Sequence, residues 1–157
     1  MCSSDLASGV GVYAIKAATG SLLAANYAFN FINGDMTIGK ATVTITADDK
    51  RRLFGEANPD FTAAYTGFVN GESLASSGIS GAPEMYSYAN PASTVGNYDI
   101  FAGTGSLSSS NYKFNFVSGV LTVGKTLLTI TADNKSKLYG QANPALTITY
   151  KIGRAHV

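Results

Sequence analysis

Apolar and polar residues alternate along most of this chain with a period of two, the pattern of strands that bury one face. In Ala41–Asp48, Val43, Ile45 and Ala47 share one side while Thr42, Thr44 and Thr46 share the other. β-Branched residues of this kind fill a pleated surface well. Tyr27, Phe29 and Phe31 alternate in the same way through Tyr27–Ile32, and Tyr112–Val117 repeats that run. Phe61–Gly67, Ala82–Tyr88, Asn97–Ala102 and Val120–Val123 complete the predicted strands. Asn33-Gly34 separates Tyr27–Ile32 from Asp35–Ile38, which predicts a type I′ hairpin, because both central positions of that turn take positive φ. Ser118-Gly119 is expected to do the same between Phe116 and Leu121, and Asn70-Gly71 to turn the chain again. Asn58-Pro59 and Asn90-Pro91 mark a turn and a loop, and Gly103–Ser110 is a loop of small residues. Only Glu72–Ser76 reads as helix, of one or two turns.

These runs recur at a fixed distance. GKATVTITADDKRRLFGEANP (Gly39–Pro59) returns as GKTLLTITADNKSKLYGQANP (Gly124–Pro144), an offset of 124 − 39 = 85 residues. The match extends without a gap upstream, Val10–Lys40 against Val95–Lys125. A constant period of this size is the mark of a tandem array. The joints fall at Gly39-Lys40-Ala41 and Gly124-Lys125-Thr126. Residues 1–39 are thus expected to be the C-terminal part of one unit, 40–124 a whole unit and 125–157 the start of a third. About six short strands per unit predict a mainly β fold of tandem small domains, sandwich-like or β-grasp-like. Connections of two residues favour an extended array. The end segments MCSSDL (Met1–Leu6) and KIGRAHV (Lys151–Val157) resemble translated sequencing-adapter DNA and have no partner in the repeat, so Ala7–Tyr150 carries the reading of the fold.

Composition narrows the classes of function. Charged residues are 13% and the net charge is +1, which gives no electrostatic footprint for nucleic acid. The single cysteine, Cys2, and the single histidine, His156, both fall in the adapter-like ends. No stretch approaches the ~18 uninterrupted apolar residues of a membrane span.

The shared core T-I-T-A-D-x-K, followed by Phe54-Gly55-Glu56 or Tyr139-Gly140-Gln141 and then Asn58-Pro59 or Asn143-Pro144, resembles the MBG domain of the YGX type. The first copy departs from the signature by Phe54 in place of tyrosine, which suggests that the ring packs and its oxygen does no chemistry. The resemblance implies a repeat of bacterial adhesin-like chains, associated with filamentous-haemagglutinin-type or autotransporter modules. It implies a cell-surface or secreted location, a mechanical role and no catalytic residues.

The residues themselves offer little chemistry. A nucleophile needs a base within reach, and the repeat holds no histidine. Asp48 and Lys50 recur as Asp133 and Lys135, but where a strand runs into a turn, a place for Asp to accept backbone N–H bonds. Glu56 and Asp60, the nearest approach to a carboxylate pair, become Gln141 and Ala145. Asp48, Asp49 and Asp60 could supply hard oxygens for calcium, yet Asn134 and Ala145 replace two of them, so no metal or other cofactor is assigned. Lys50-Arg51-Arg52 reads as an exposed edge whose charge suppresses edge-to-edge pairing. Tyr98 and Tyr112 recur as Tyr13 and Tyr27 and are expected in the core. Tyr86 and Tyr88 share one strand face and are the candidate ligand contacts. The expected partners are neighbouring repeats and, through these tyrosines, host or matrix glycans or proteins, without nucleic acid or direct membrane insertion. The principal reading is a spacer that projects a distal binding region, and the alternative is a weak glycan- or matrix-binding module acting through avidity.

Overall fold

The computed structural model describes residues 8–153, and residues 1–7 and 154–157, which include Cys2, His156 and most of the adapter-like ends, lie outside the described residues. All regular structure in 8–153 is β. The strands are β1 (Gly11–Ile15), β2 (Gly34–Ile38), β3 (Ala41–Ala47), β4 (Lys50–Leu53), β5 (Ala63–Thr66), β6 (Glu84–Tyr86), β7 (Gly96–Gly103), β8 (Tyr112–Val117), β9 (Gly119–Gly124), β10 (Leu128–Ala132) and β11 (Ile148–Ile152). β3 to β9 pair only among themselves, in a three-stranded sheet β5-β3-β8 and a four-stranded sheet β4-β9-β7-β6.

One parallel ladder joins the two sheets. β3 pairs with β8 from Ala41↔Tyr112 to Thr46↔Val117, and β4 pairs with β9 from Lys50↔Leu121 to Leu53↔Gly124. Both pairings have the same offset, 112 − 41 = 71 and 121 − 50 = 71. Residues 41–53 and 112–124 therefore run side by side in one register and change sheets together midway. At the crossing an alanine Cβ at Gly119 would lie 2.4 Å from the Ala47 carbonyl oxygen, so only glycine lets the backbones approach. Asp49 Oδ1 takes the Val120 N–H at 2.7 Å, a side chain standing in for the backbone acceptor of the same register position.

This crossing corrects the hairpin expectation. Phe116 and Leu121 lie in different sheets, and Ser118-Gly119 links them as a sheet switch. Asn33-Gly34 is no type I′ turn either. Neither residue has positive φ, and β2 starts at Gly34 and pairs antiparallel with β1. Asn70-Gly71 is such a turn, with φ of 55° and 72° and the Glu72 N–H on the Val69 carbonyl at 3.0 Å. The Glu72–Ser76 helix reduces to one turn over Ser73–Ser77, where hydroxyls compete for the backbone and Gly78 leaves at φ 67°.

Alternation on β3 is as predicted, with Val43, Ile45 and Ala47 buried. Val43, Ile45, Leu107 and Tyr112 form one cluster, and Ala47, Ala89, Ile100 and Leu121 the other. β3 feeds both because its last residue, Ala47, stands where the chain leaves for the second sheet.

Pairing outside 41–124 follows the 85-residue offset. β1 pairs with β2 from Gly11↔Ile38 to Ile15↔Gly34, and β7 with β9 from Gly96↔Val123 to Ile100↔Gly119. β10 and β11 repeat β3 and β5, with Thr129↔Lys151 and Ala132↔Ile148 against Thr44↔Thr66 and Ala47↔Ala63. Lys151 and Ile152, read as adapter-like, thus lie in a strand. Tyr27–Ile32, by contrast, is not a strand. Its counterpart β8 is held by β3, and residues 8–26 contain no counterpart of β3.

Candidate functional site

The predicted contact pair comes together. Tyr86 ends β6, an edge strand, and its ring lies 5.5 Å from that of Tyr88. Phe101 joins them from β7, because the register places it opposite Tyr86. Its ring stacks on Tyr86 at 5.4 Å and 28° and meets Tyr88 at 5.6 Å and 64°. Tyr86 and Tyr88 are both exposed, so the three rings form a surface patch beside a shallow recess of about 290 Å³ that Asn97 and Asp99 also line. The Tyr86 phenol is pushed above its ordinary value. Its hydrogen bond to Tyr88 is the largest cause, followed by the charge on Tyr88, desolvation and Glu84. Flat apolar faces next to hydroxyl, amide and carboxylate groups suit stacking on a polar ring with hydrogen bonds at its rim. Sequence reading missed Phe101. The available signal was its replacement by Lys16 one period upstream, a swap that a packed core position would not accept.

The other tyrosines divide. Tyr112 is in the core as expected, its hydroxyl donating to Glu72 Oε2 at 2.5 Å and accepting the Val69 N–H at 3.3 Å. That carboxylate contact is the main reason its pKa is raised. Tyr98 packs on the second cluster and donates to the Thr94 carbonyl at 2.8 Å, as Tyr13 does to Gly9 at 2.8 Å. Tyr13 and Tyr27 are exposed, against expectation, since the strands that cover their counterparts in 41–124 have no equivalent around them.

The recurrent polar residues have structural partners. Asp48 Oδ2 accepts the Thr62 hydroxyl at 2.5 Å, and that hydroxyl oxygen accepts from Lys50 Nζ at 2.7 Å. One period on, Asp133 accepts the Thr147 hydroxyl and, at 2.7 Å, that of Thr149. These two bonds, Thr147 first, hold its carboxyl below the ordinary value. Strand-end Asp thus takes threonine hydroxyls in place of the expected backbone N–H groups. Among the described residues no group of three or more His, Cys, Asp or Glu is placed to hold a metal ion, and no helix is long and apolar enough to cross a membrane.

Arg52 departs furthest from its reading as an exposed edge. It is buried, with Nε on Asn58 Oδ1 at 2.7 Å, one terminal nitrogen on the Asn90 carbonyl at 2.5 Å and the other on Leu53 O at 3.2 Å. Asn58 Nδ2 in turn donates to the Ala89 carbonyl at 2.7 Å. The asparagine of the Asn-Pro pair is therefore a bridge between β4 and the 89–91 loop.

The Tyr-Gly-x signature is a turn. Glu56 N–H bonds the Leu53 carbonyl at 3.2 Å, Gly55 has φ 90°, and Leu53 N–H donates back to Glu56 Oε2 at 2.7 Å. Leu138–Gln141 repeats each feature, with Gly140 at φ 86° and Leu138 N–H on Gln141 Oε1 at 3.2 Å. Positive φ at the third position of a turn explains the glycine, and the returning acceptor explains why the last residue is Glu or Gln. The ring does not pack as expected: Phe54 is half exposed and Tyr139 fully exposed. Phe54 instead borders a cleft of about 820 Å³ that Thr126 and Tyr150 also line.

These features define a class of protein, an all-β chain whose strand registers recur at 85 residues and whose glycine turn after Leu53 returns after Leu138. The family described as MBG domain (YGX type) matches residues 43–122 and again 128–152, more than half of the chain, and the chain belongs to that family. Searches of curated proteins and of solved structures found no match.

Proposed function

We propose that the chain is a non-catalytic spacer of a bacterial surface or secreted adhesin, built of units 1–39, 40–124 and 125–157, which transmits tension while holding a distal binding region away from the cell. The observation that carries this reading is the parallel ladder of β3 with β8 and β4 with β9, which runs residues 41–53 beside 112–124. Tension applied at Ala41 and Gly124 pulls two parallel neighbours past one another. All ladder bonds then share the load in shear, whereas pulling on two residues at the same end of the ladder breaks them one at a time. Family membership supports a repeat module of surface proteins. Single-molecule pulling tests the reading with handles at 41 and 124 against handles at 41 and 112. The first geometry is expected to need a several-fold higher unfolding force, and equal forces would sink the proposal.

A second reading rests on the ring cluster. Tyr86, Tyr88 and Phe101 offer an exposed stacking surface for host or matrix glycans, each contact weak and multiplied by repetition. Binding on a glycan array that disappears on replacing both tyrosines by alanine supports it, and silence across the array removes it.

A further inference from the structure

The rings of Tyr86 and Phe101 share the outer face of the four-stranded sheet with Glu84, Asn97 and Asp99, which alternation along β6 and β7 puts on the same side. Of the seven carboxylates in 41–124, those of Asp48, Asp49, Glu56 and Glu72 are engaged by N–H or hydroxyl donors. Those of Glu84 and Asp99 are exposed and make no hydrogen bond or ion pair among the described residues. Asp99 lines the recess beside Tyr88 and Phe101. The Tyr86 phenol, raised first by its bond to Tyr88, also feels the Glu84 charge. Arg51 stands on the same face but across β9, two strand spacings or about 10 Å from β7. The inner residues of β7, Tyr98 and Ile100, recur as Tyr13 and Ile15, whereas Asn97, Asp99 and Phe101 give way to Val12, Ala14 and Lys16. Packing thus fixes the inner set and makes no demand on the outer one.

Unneutralised carboxylates beside ring faces choose a ligand by charge. They repel acidic sugars, and aromatic faces attract a cation through the ring quadrupole. Resting on the reading of this patch as a glycan-stacking surface, we propose that it takes a polysaccharide with free amino groups. One sugar ring stacks on the aromatic cluster, and its ammonium sits between the Phe101 ring and the Asp99 carboxylate. These two residues are next neighbours on one face of β7, about 7 Å apart along the strand. Asn97 Oδ1 accepts the Thr122 hydroxyl and Ser87 Oγ the Ala89 N–H, which leaves Asn97 Nδ2 and the Ser87 hydroxyl to donate to sugar oxygens. N-Acetylation keeps the sugar ring and removes its charge, so an acetylated chain keeps the stacking and loses the attraction.

NMR titration of the whole chain in mildly acidic, low-salt buffer tests this with four probes of similar length: a glucosamine oligomer, its N-acetylated form, an oligogalacturonate and an oligolysine. The glucosamine oligomer is expected to bind roughly 3–30-fold more tightly than the acetylated one, an advantage that shrinks as salt is added. Glu84→Gln combined with Asp99→Asn breaks no bond of the fold. That variant is expected to lose most of the advantage while binding the acetylated oligomer as before, and Tyr86→Ala combined with Tyr88→Ala is expected to lose both ligands. Equal binding of the two glucosamine forms would overturn the proposal and leave the stacking reading standing. Oligogalacturonate bound as tightly as the free amine would overturn it too. So would oligolysine bound as tightly and indifferent to loss of the tyrosines, which would reduce the patch to its charge. Binding of none of the four would remove the proposal and the stacking reading together.

Discussion

Gly119→Ala tests the crossing of the two sheets. The added Cβ would lie 2.4 Å from the Ala47 oxygen, 2.9 Å from its carbon and 3.1 Å from the Asp48 oxygen. Ordinary contact begins near 3.4 Å, so the strands must separate by 3.4 − 2.4 = 1.0 Å at the closest pair. All three obstructing atoms are backbone, and no rotamer change relieves them. Forced overpacking of this sort costs about 1–3 kcal/mol. The Asp49–Val120 bond spans the same point, and losing it adds about 1 kcal/mol. Reduced freedom of the unfolded chain returns about 0.4–1 kcal/mol. The net loss is about 1–3.5 kcal/mol, a fall in melting temperature of roughly 5–25 °C for a body of this size. Gly34→Ala, exactly one period upstream, supplies the control. It meets nothing within 4 Å and is expected to leave the main thermal transition in place. The assay is thermal unfolding followed by circular dichroism. If Gly119→Ala melted within about 2 °C of its parent, the close parallel crossing would be wrong.

Arg52→Met keeps the stem but strands the acceptors on Asn58 and Asn90, and should cost about 2–4 kcal/mol in urea unfolding. Arg52→Lys should recover part of it, since Lys137 occupies the equivalent position. Asp49→Asn should be neutral in the same assay, while Asp49→Ala should lose about 1 kcal/mol, because the Val120 N–H needs an acceptor and not a charge. Asp133 has a lowered folded pKa, so its contribution to the β10–β11 pair is present above the unfolded value and lost as pH falls through the folded one. Carboxyl titration by NMR should show this low midpoint, and Thr147→Val should move it upward.

How much of this was legible in the sequence depended on how local the cause was. β3 could be read because its alternation is its own, and Asn70-Gly71 because a type I′ turn closes within four residues. The 85-residue period was legible because identity at fixed spacing needs no structure, and it recurs in the strand registers. The paired alternating runs around Ser118-Gly119 look like a hairpin from within, but each finds a better partner about 70 residues upstream, in different sheets. β4 was missed for the same reason, since Lys-Arg-Arg-Leu has no strand pattern and becomes a strand only beside β9. Arg52 looked like surface because its acceptors on Asn58 and Asn90 are brought in by the fold. Phe101 belongs to the candidate site only through its register with Tyr86.

The position of the Tyr-Gly-x turn follows from the same ladder. Leu53 pairs with Gly124, so the turn after β4 necessarily stands beside the exit from β9. Phe54 N–H takes the Gly124 carbonyl at 2.9 Å, and the Phe54 carbonyl takes the Thr126 hydroxyl at 2.5 Å, just past the joint. The turn thereby ties the exit of β9 to Thr126, and Phe54 lines a cleft with Tyr150. This fits an aromatic residue that stays exposed and varies between Phe54 and Tyr139. It also accounts for the fixed glycine and the Glu or Gln, which set the turn's shape whatever the ring meets. Gly55→Ala, which forces a side chain into φ 90°, should therefore loosen the Phe54–Gly124 contact more than the β3–β8 ladder. Hydrogen exchange should quicken at the Phe54 amide while the amides of β3 stay protected, and equal loss at both would show that the turn belongs to the unit's core instead.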